Sequence, residues 1–253
     1  MDKHNQNRHE TDKIEGRNPV IEAIKSGREI NKILVAKGAR EGSIRQIIAM
    51  AKDNRIVVQQ VDIQKLNSIS LTRSHQGVIA FTSAIKYVEV EDILENAISK
   101  SEDAFVIVLD EIADPQNLGS IIRSADAAGA HGVIIPKRRA VGITPVVAKA
   151  SAGAVEYVPI ARVSNIAQTL EKLKKTGIWI VGTDAGADDS LLDCDLKGPI
   201  AVLVGGEGKG LGTLIKDKCD RLIKIPMKGR ISSLNAAVAA AVIMYEVVKQ
   251  RRM

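Results

Sequence analysis

The chain has 253 residues, 45% of them apolar and only 2% aromatic, enough for an aliphatic core in two ordinary domains or one large one. A formal net charge of +6 mildly favours an anionic partner such as nucleic acid, while Cys194 and Cys219 stand alone, outside any metal-ligand or disulfide pattern. With no apolar leader and no run of membrane length, the expectation is a soluble, cytoplasmic protein without a metal.

Residues 1–13 are polar, include His4 and His9, and read as a disordered tail. Gly16-Arg17-Asn18-Pro19 then opens a helix, with Asn18 as cap and Pro19 at the first helical position. A strand is expected over 32–36, and a helix over 43–52 from the spacing of Ile44, Ile47, Ile48 and Ala51. A strand over 56–61, a helical turn over 63–68 and a strand over 78–83 complete a small α/β domain over 14–85. Its last loop, Arg73-Ser74-His75-Gln76-Gly77, leaves two readings for His75: an ordinary loop histidine, or a ring that stacks on an RNA base.

Residues 86–103 are charged, carry a weak helical pattern and read as the interdomain connection. The second domain, 104–253, opens with Phe105-Val-Ile-Val-Leu109, an apolar run suited to a fully buried parallel strand. Further strands are expected over 133–135, 156–159, 178–182, 200–204 and 222–225, and helices over 119–128, 144–150, 166–175, 211–218 and 235–249. The fold class is therefore α/β, with a parallel sheet covered on both faces. The last helix has no polar residue from 236 to 244, so its own sheet should cover one side and another subunit the other.

Three stretches carry the chemistry. The first follows the strand at 105–109 and opens a helix; it places Asn117 just before that helix and Arg123 in its early turns. Ligands of open α/β sheets bind at such strand ends. The second, Val204-Gly-Gly-Glu-Gly-Lys-Gly-Leu211, repeats strand, glycine loop and helix, with glycines that let a ligand approach the backbone. It fits neither the P-loop nor the dinucleotide fingerprint, and Glu207 would repel a phosphate. In the third, Pro226 and Gly229 shape a loop, and Ser232, Ser233 and Asn235 crowd the start of the last helix, where short polar side chains cap free amides.

Together Asp114-Pro-Gln-Asn-Leu-Gly-x-Ile-x-Arg-Ser-Ala-x-Ala-x-Gly, Gly-Gly-Glu-Gly-x-Gly and Ile-Pro-Met-x-Gly-x-x-Ser-Ser-Leu-Asn resemble the three motifs of the SpoU (TrmH-type) RNA ribose 2′-O-methyltransferases, in order and spacing, across roughly 105–250. The front half, from Gly16-Arg-Asn-Pro-Val to His75-Gln-Gly-Val, is similar to the RNA-binding domain of the RlmB branch, which methylates a guanosine of large-subunit ribosomal RNA. The resemblance implies a catalytic domain with a C-terminal trefoil knot (the SPOUT fold), a homodimer, and S-adenosylmethionine as cofactor. It implies Gly205, Gly206, Ile225 and Leu234 as cofactor contacts, with Thr183 and Met227 in the same pocket. Arg123 matches the family's essential arginine, with Asn117, Glu207, Ser233 and Asn235 orienting it and the ribose. RNA contacts of the front domain are expected at Arg17, Arg73 and His75. A tRNA ribose methyltransferase of the same family and a catalytically silent RNA-binding assembly factor are the alternatives.

Overall fold

The computed structural model describes residues 12–39, 42–83, 85–206, 208 and 210–251; His4 and His9 lie outside them. The front domain is a four-stranded mixed sheet. In chain order it runs β1 (Asp12–Glu15), α1 (Arg17–Lys25), β2 (Ile30–Ala36), α2 (Ser43–Asp53), β3 (Val58–Val61), α3 (Ile63–Ile69) and β4 (Val78–Thr82), with sheet order β1-β4-β2-β3. Strands β1 and β2 pair antiparallel with β4, and β2 pairs parallel with β3.

Alternation along the strands fixes which helix covers which face. Ile33, Val35, Val78 and Ala80 point to α1 and α2, where Val20, Ile24, Ile44 and Ile47 are buried. Leu34, Ala36 and Ile79 point the other way, to Leu66 of α3. Strand β1 begins at Asp12, inside the stretch read as tail. Asn18 is not the cap of α1: the helix starts at Arg17, directly after Gly16, whose φ of 100° only glycine adopts cheaply.

The stretch read as a connection holds α4 (Val90–Ser99), opened by a capping box between Glu89 and Asp92. Val90, Ile93 and Ala97 of α4 are buried, so this segment is a layer of the second domain. That domain continues β5 (Phe105–Asp110), α5 (Pro115–Ala127), β6 (Gly132–Pro136), α6 (Pro145–Ala150), β7 (Ile160–Val163), α7 (Ile166–Lys175), β8 (Trp179–Thr183), β9 (Asp189–Ser190), β10 (Ile200–Gly205), α8 (Thr213–Lys216), β11 (Arg221–Lys224) and α9 (Ala236–Arg251). The strands form a parallel sheet in the order β7-β6-β5-β10-β8-β11-β9.

Odd and even positions of the central strands again separate two cores. Ile107, Leu109, Val133, Val202 and Val204 meet α5, α6 and α9. Val106, Val108, Ile134, Ala201 and Leu203 meet α4 and α7. The strand expected over 156–159 is displaced: Ala154–Glu156 is a turn of 3-10 helix after the left-handed Gly153, and pairing with β6 starts at Ile160. Helix α8 is also shorter than the expected 211–218.

Helix α5 begins four residues earlier than expected. Asp114 caps it, accepting from Gln116 N and Asn117 N at 3.2 Å each, and Pro115 takes the first helical position. Asn117 therefore lies within the first turn of α5 rather than before it.

The two domains touch through polar contacts. Arg28 Nη1 meets Glu156 Oε1 at 2.6 Å, with side chains 9% and 5% exposed. Tyr157 Oη donates to Glu22 Oε2 at 2.6 Å, and Lys149 Nζ donates to Ser74 O at 2.9 Å. No helix among the described residues is long and apolar enough to cross a membrane.

Candidate active site

The sheet ends β8, β10 and β11 open on a cleft of about 590 Å³, within the range of small-molecule sites. Thr183, at the end of β8, and Gly205 and Gly206, at the end of β10, line it, as do Ile225, Met227, Ser233, Leu234 and Asn235 after β11. All six residues expected to hold a cofactor thus converge on one cavity, together with Ser233 and Asn235. Strand-end chemistry follows directly from the parallel sheet, in which neighbouring strands terminate side by side.

Two residues of the glycine loop have a packing reason beside the one the sequence suggests. A Cβ on Gly205 would lie 2.4 Å from the backbone carbon of Gly210, and one on Gly206 would lie 2.6 Å from the carbonyl oxygen of Glu111. Backbone packing thus requires glycine at 205 and 206, and both residues also line the cleft. Gly210 N donates to Gly206 O at 3.1 Å and closes the loop on itself. Glu207 lies outside the described residues.

Asn235 joins two of the three motifs. Its Oδ1 accepts from Ala237 N at 2.9 Å and Val238 N at 3.2 Å, capping α9, while its Nδ2 donates to Asn117 Oδ1 at 2.9 Å. Asn117 is buried at 7% exposure, held by the first turn of α5. One amide thereby satisfies a helix end and orients a second amide on another helix. Capping and site-building are the same interaction here.

Arg123 is exposed on α5 and does not figure among the cleft-lining residues. Its guanidinium has no partner among the described residues, so it is open to a ligand arriving from solvent. The cleft also recruits Asp184 and Ala185, directly after β8, and Ala236 and Ala239 from α9, none of which had been singled out from sequence. The rule that sites follow strand ends would have found Asp184. Lys216 holds that carboxylate below the usual range through an ion pair of 2.5 Å, so it is charged at the cleft edge. Asp110, at the end of β5, is pushed up by burial, with Glu111 adding to the shift.

In the front domain, Arg17 binds the loop after α3: its N–H donates to Gln76 Oε1 at 3.0 Å and its Nε to Gln76 O at 3.2 Å. Arg73 is exposed in the same loop, with a left-handed φ of 53°. His75 is not available for stacking on a base. It is 6% exposed; Nδ1 accepts from Gly77 N at 3.0 Å, which leaves Nε2–H to donate to Asn67 Oδ1 at 2.8 Å. It is a structural histidine that shapes the loop presenting Arg73.

A mixed front sheet, a seven-stranded parallel α/β domain and this cleft define the class. The chain belongs to the SpoU family of RNA 2′-O ribose methyltransferases: residues 104–245 match the SpoU rRNA Methylase family and residues 13–88 match the RNA 2′-O ribose methyltransferase substrate-binding family. A Bacillus subtilis protein named for the TrmH family of tRNA/rRNA methyltransferases, YacO, is 50% identical over 240 residues, covering 95% of this chain and 96% of its own. The SpoU methyltransferase AviRb of Streptomyces viridochromogenes, crystallised with the cofactor AdoMet, superposes with a TM-score of 0.79 at 28% identity, covering 94% of this chain and 89% of its own. An AdoMet-bound rRNA methyltransferase of Sinorhizobium meliloti gives 0.76 at 26% identity, covering 94% and 87%.

Proposed function

We propose that this chain is an S-adenosylmethionine-dependent methyltransferase of the RlmB-like branch, acting on the ribose 2′-hydroxyl of a guanosine in large-subunit ribosomal RNA. The observation that carries the reading is the convergence of the second and third motifs on one cleft, with the first motif tied to them by the Asn235–Asn117 hydrogen bond. The residues present suit the cofactor. Ile225, Met227, Leu234, Ala236 and Ala239 offer apolar walls to an adenine, and Thr183, Asp184, Ser232 and Ser233 offer polar groups to a ribose and an amino-acid moiety. The trefoil knot belongs to this reading, with Gly205 and Gly206 as the glycine-lined crossing of loop on loop.

When bound, adenosylmethionine supplies a methyl group on a positively charged sulfur. The 2′-hydroxyl is a poor nucleophile, so the protein must align it and help its proton leave. Arginine is too basic to be a simple base. The exposed guanidinium of Arg123, outside the cofactor cleft, suits RNA phosphate or the reacting ribose. Asn117, Ser233 and Asn235 orient the ribose at the cleft mouth, and Glu207 is assigned the same task from its place in the second motif. Arg17 and Arg73 are the front-domain RNA contacts.

A ribosomal rather than a transfer RNA substrate is favoured by the front domain. The superposition on a protein titled an rRNA methyltransferase, over 94% of this chain, points the same way. The protein acts in the cytoplasm as a homodimer joined through α9, whose outward residues Val238, Val242 and Tyr245 are 49%, 41% and 53% exposed in one chain. Mapping 2′-O-methylation in ribosomal RNA of a deletion strain tests the assignment. One guanosine should lose its methyl group and regain it with the wild-type gene but not with Arg123→Ala, which should retain cofactor affinity while turnover falls about a hundred- to a thousandfold. Unchanged ribosomal RNA together with a lost tRNA methyl group would transfer the enzyme to the tRNA reading.

A further inference from the structure

The cleft uses the ends of β8, β10 and β11, but the same sheet edge continues across β5 to β6 and β7. Lys137, Arg138 and Arg139 follow β6 directly, and Arg162 lies next to them on β7. All four are exposed.

This run of charge sits on a built loop. Lys137 N donates to Val163 O at 2.8 Å, Arg162 Nη2 to Lys137 O at 3.2 Å, and Val141 N to Ile112 O at 3.0 Å. The Arg162 guanidinium lies 5.5 Å from the ring centre of Tyr87. Arg139, at a left-handed φ of 60°, meets Glu111, itself at 58°, at 3.1 Å. The carbonyl of Glu111 in turn abuts Gly206 in the cleft wall. The basic loop is therefore linked to the cleft wall through Glu111, and the backbone that carries it is pinned on both sides.

Its charge is unbalanced. Of the three consecutive cations only Arg139 meets a carboxylate, that of Glu111, and the side chains of Lys137 and Arg138 have no partner among the described residues. Holding like charges together on a fixed backbone is unfavourable in isolation, and a polyanion laid along them reverses the sign. Contacts of this kind position a nucleic acid without reading its bases.

We propose that Lys137, Arg138 and Arg139, with Arg162, form a phosphate track on the catalytic domain that holds the RNA backbone leading into the cleft. The track is separate from the front-domain contacts at Arg17 and Arg73, and rests on the reading of the cleft as an RNA methyltransferase site. The test is the double variant Lys137→Gln/Arg138→Gln in the full chain, which leaves the Arg139–Glu111 pair in place. Binding of a mixed-sequence single-stranded RNA is measured across a salt series. The slope of log affinity against log salt should shrink by about 1.4, two single-strand contacts at about 0.7 each. Adenosylmethionine affinity should stay at the wild-type value. The charge-preserving swap Lys137→Arg/Arg138→Lys should keep the wild-type slope, and each single glutamine variant should lose about half as much as the pair. A wild-type slope in the double glutamine variant overturns the track. Methylation of ribosomal RNA by the wild-type chain is run alongside: its absence defeats the enzyme reading, whereas methylation with an unchanged slope defeats only the track.

Discussion

At the scale of single residues, two side chains tie distant stretches together. Asn235 accepts two α9 amides and donates to Asn117, 118 positions earlier in the chain. Substitution by Ala removes both functions; substitution by Asp keeps the acceptor for the cap and loses the donor. Asn235→Ala should cost about 0.5–2 kcal/mol of stability, the usual worth of such a cap. Asn235→Asp should recover most of that stability in thermal melts yet stay slow in single-turnover methyl transfer. Recovery of both would show that the link to Asn117 is irrelevant to catalysis. Glu15 makes a comparable tie in the front domain. Fully buried, it accepts from Leu71 N at 2.6 Å, Ser70 Oγ at 2.7 Å and Thr72 N at 3.1 Å, as well as from the Thr72 hydroxyl. Burial alone would raise its pKa, but the hydrogen bonds from Thr72, Leu71 and Ser70 outweigh burial and hold it below the ordinary carboxylate value. The sign follows from linkage: a carboxylate depressed in the folded state contributes stability that is present above its unfolded pKa and lost as pH falls through the folded one. Glu15→Gln should therefore flatten the acid limb of the stability curve below about pH 4, and should lower neutral stability by about 1.5–3 kcal/mol. An acid limb identical to wild type would assign that loss to other carboxylates.

At the scale of elements, the crossing of α5 with α6 is set by one missing side chain. A Cβ on Gly119 would stand 2.4 Å from Ala150 Cβ and 2.8 Å from the Val147 carbonyl oxygen. A glycine inside a helix ordinarily costs about 1 kcal/mol relative to Ala, so its presence in the α5 motif looks wasteful until the second helix is in place. Gly119→Ala should force the helices apart and destabilise the domain by about 1–3 kcal/mol, despite its better helix propensity. A shift of α5 would also move Asn117 and Arg123, so methyl transfer should fall further than stability alone accounts for. Chemical denaturation and turnover measured on the same preparation check both parts; a variant as stable as wild type would mean that the crossing is slack.

At the scale of the whole molecule, α9 separates an inner face from an outer one. Ala236, Ala240, Ile243, Met244 and Val247 are buried against the chain's own core, and Ala240 has no exposure at all. Val238, Val242 and Tyr245 face out. A charge at Ala240 would damage folding rather than probe association; Val242 is the informative position. The wild-type chain should sediment as a dimer at micromolar concentration, and Val242→Glu should yield a folded monomer with an unchanged melting transition at low concentration. A monomeric wild type would end the proposal that a second copy covers this stripe.

The sequence by itself determined which strands are buried and where the three motifs sit. Apolar runs such as 105–109 and 200–204 suit strands of a parallel sheet covered on both faces, and parallel strands end on one edge. Thr183, Gly205, Gly206, Ile225, Met227, Ser233, Leu234 and Asn235, singled out through the resemblance of the motifs to the family, line one cleft at that edge. Local chemistry was legible but misapplied at α5, where Asp114-Pro115 is a stronger helix start than Asn117. Only the tertiary structure decided the rest, because the causes are specific contacts, many between residues far apart in the chain, that apolar patterning does not report. Gly119 answers to helix α6, Gly206 to the loop at Glu111, and Gly205 to the return of its own loop at Gly210. His75 is turned inward by Asn67 and Gly77. Residues 90–99 are recruited to the sheet by its unfilled second face. The basic loop at 137–139 gains its meaning from the strand order, which lays it on the same edge as the cleft. Periodicity reports how a segment meets an apolar environment, but not which segment supplies that environment.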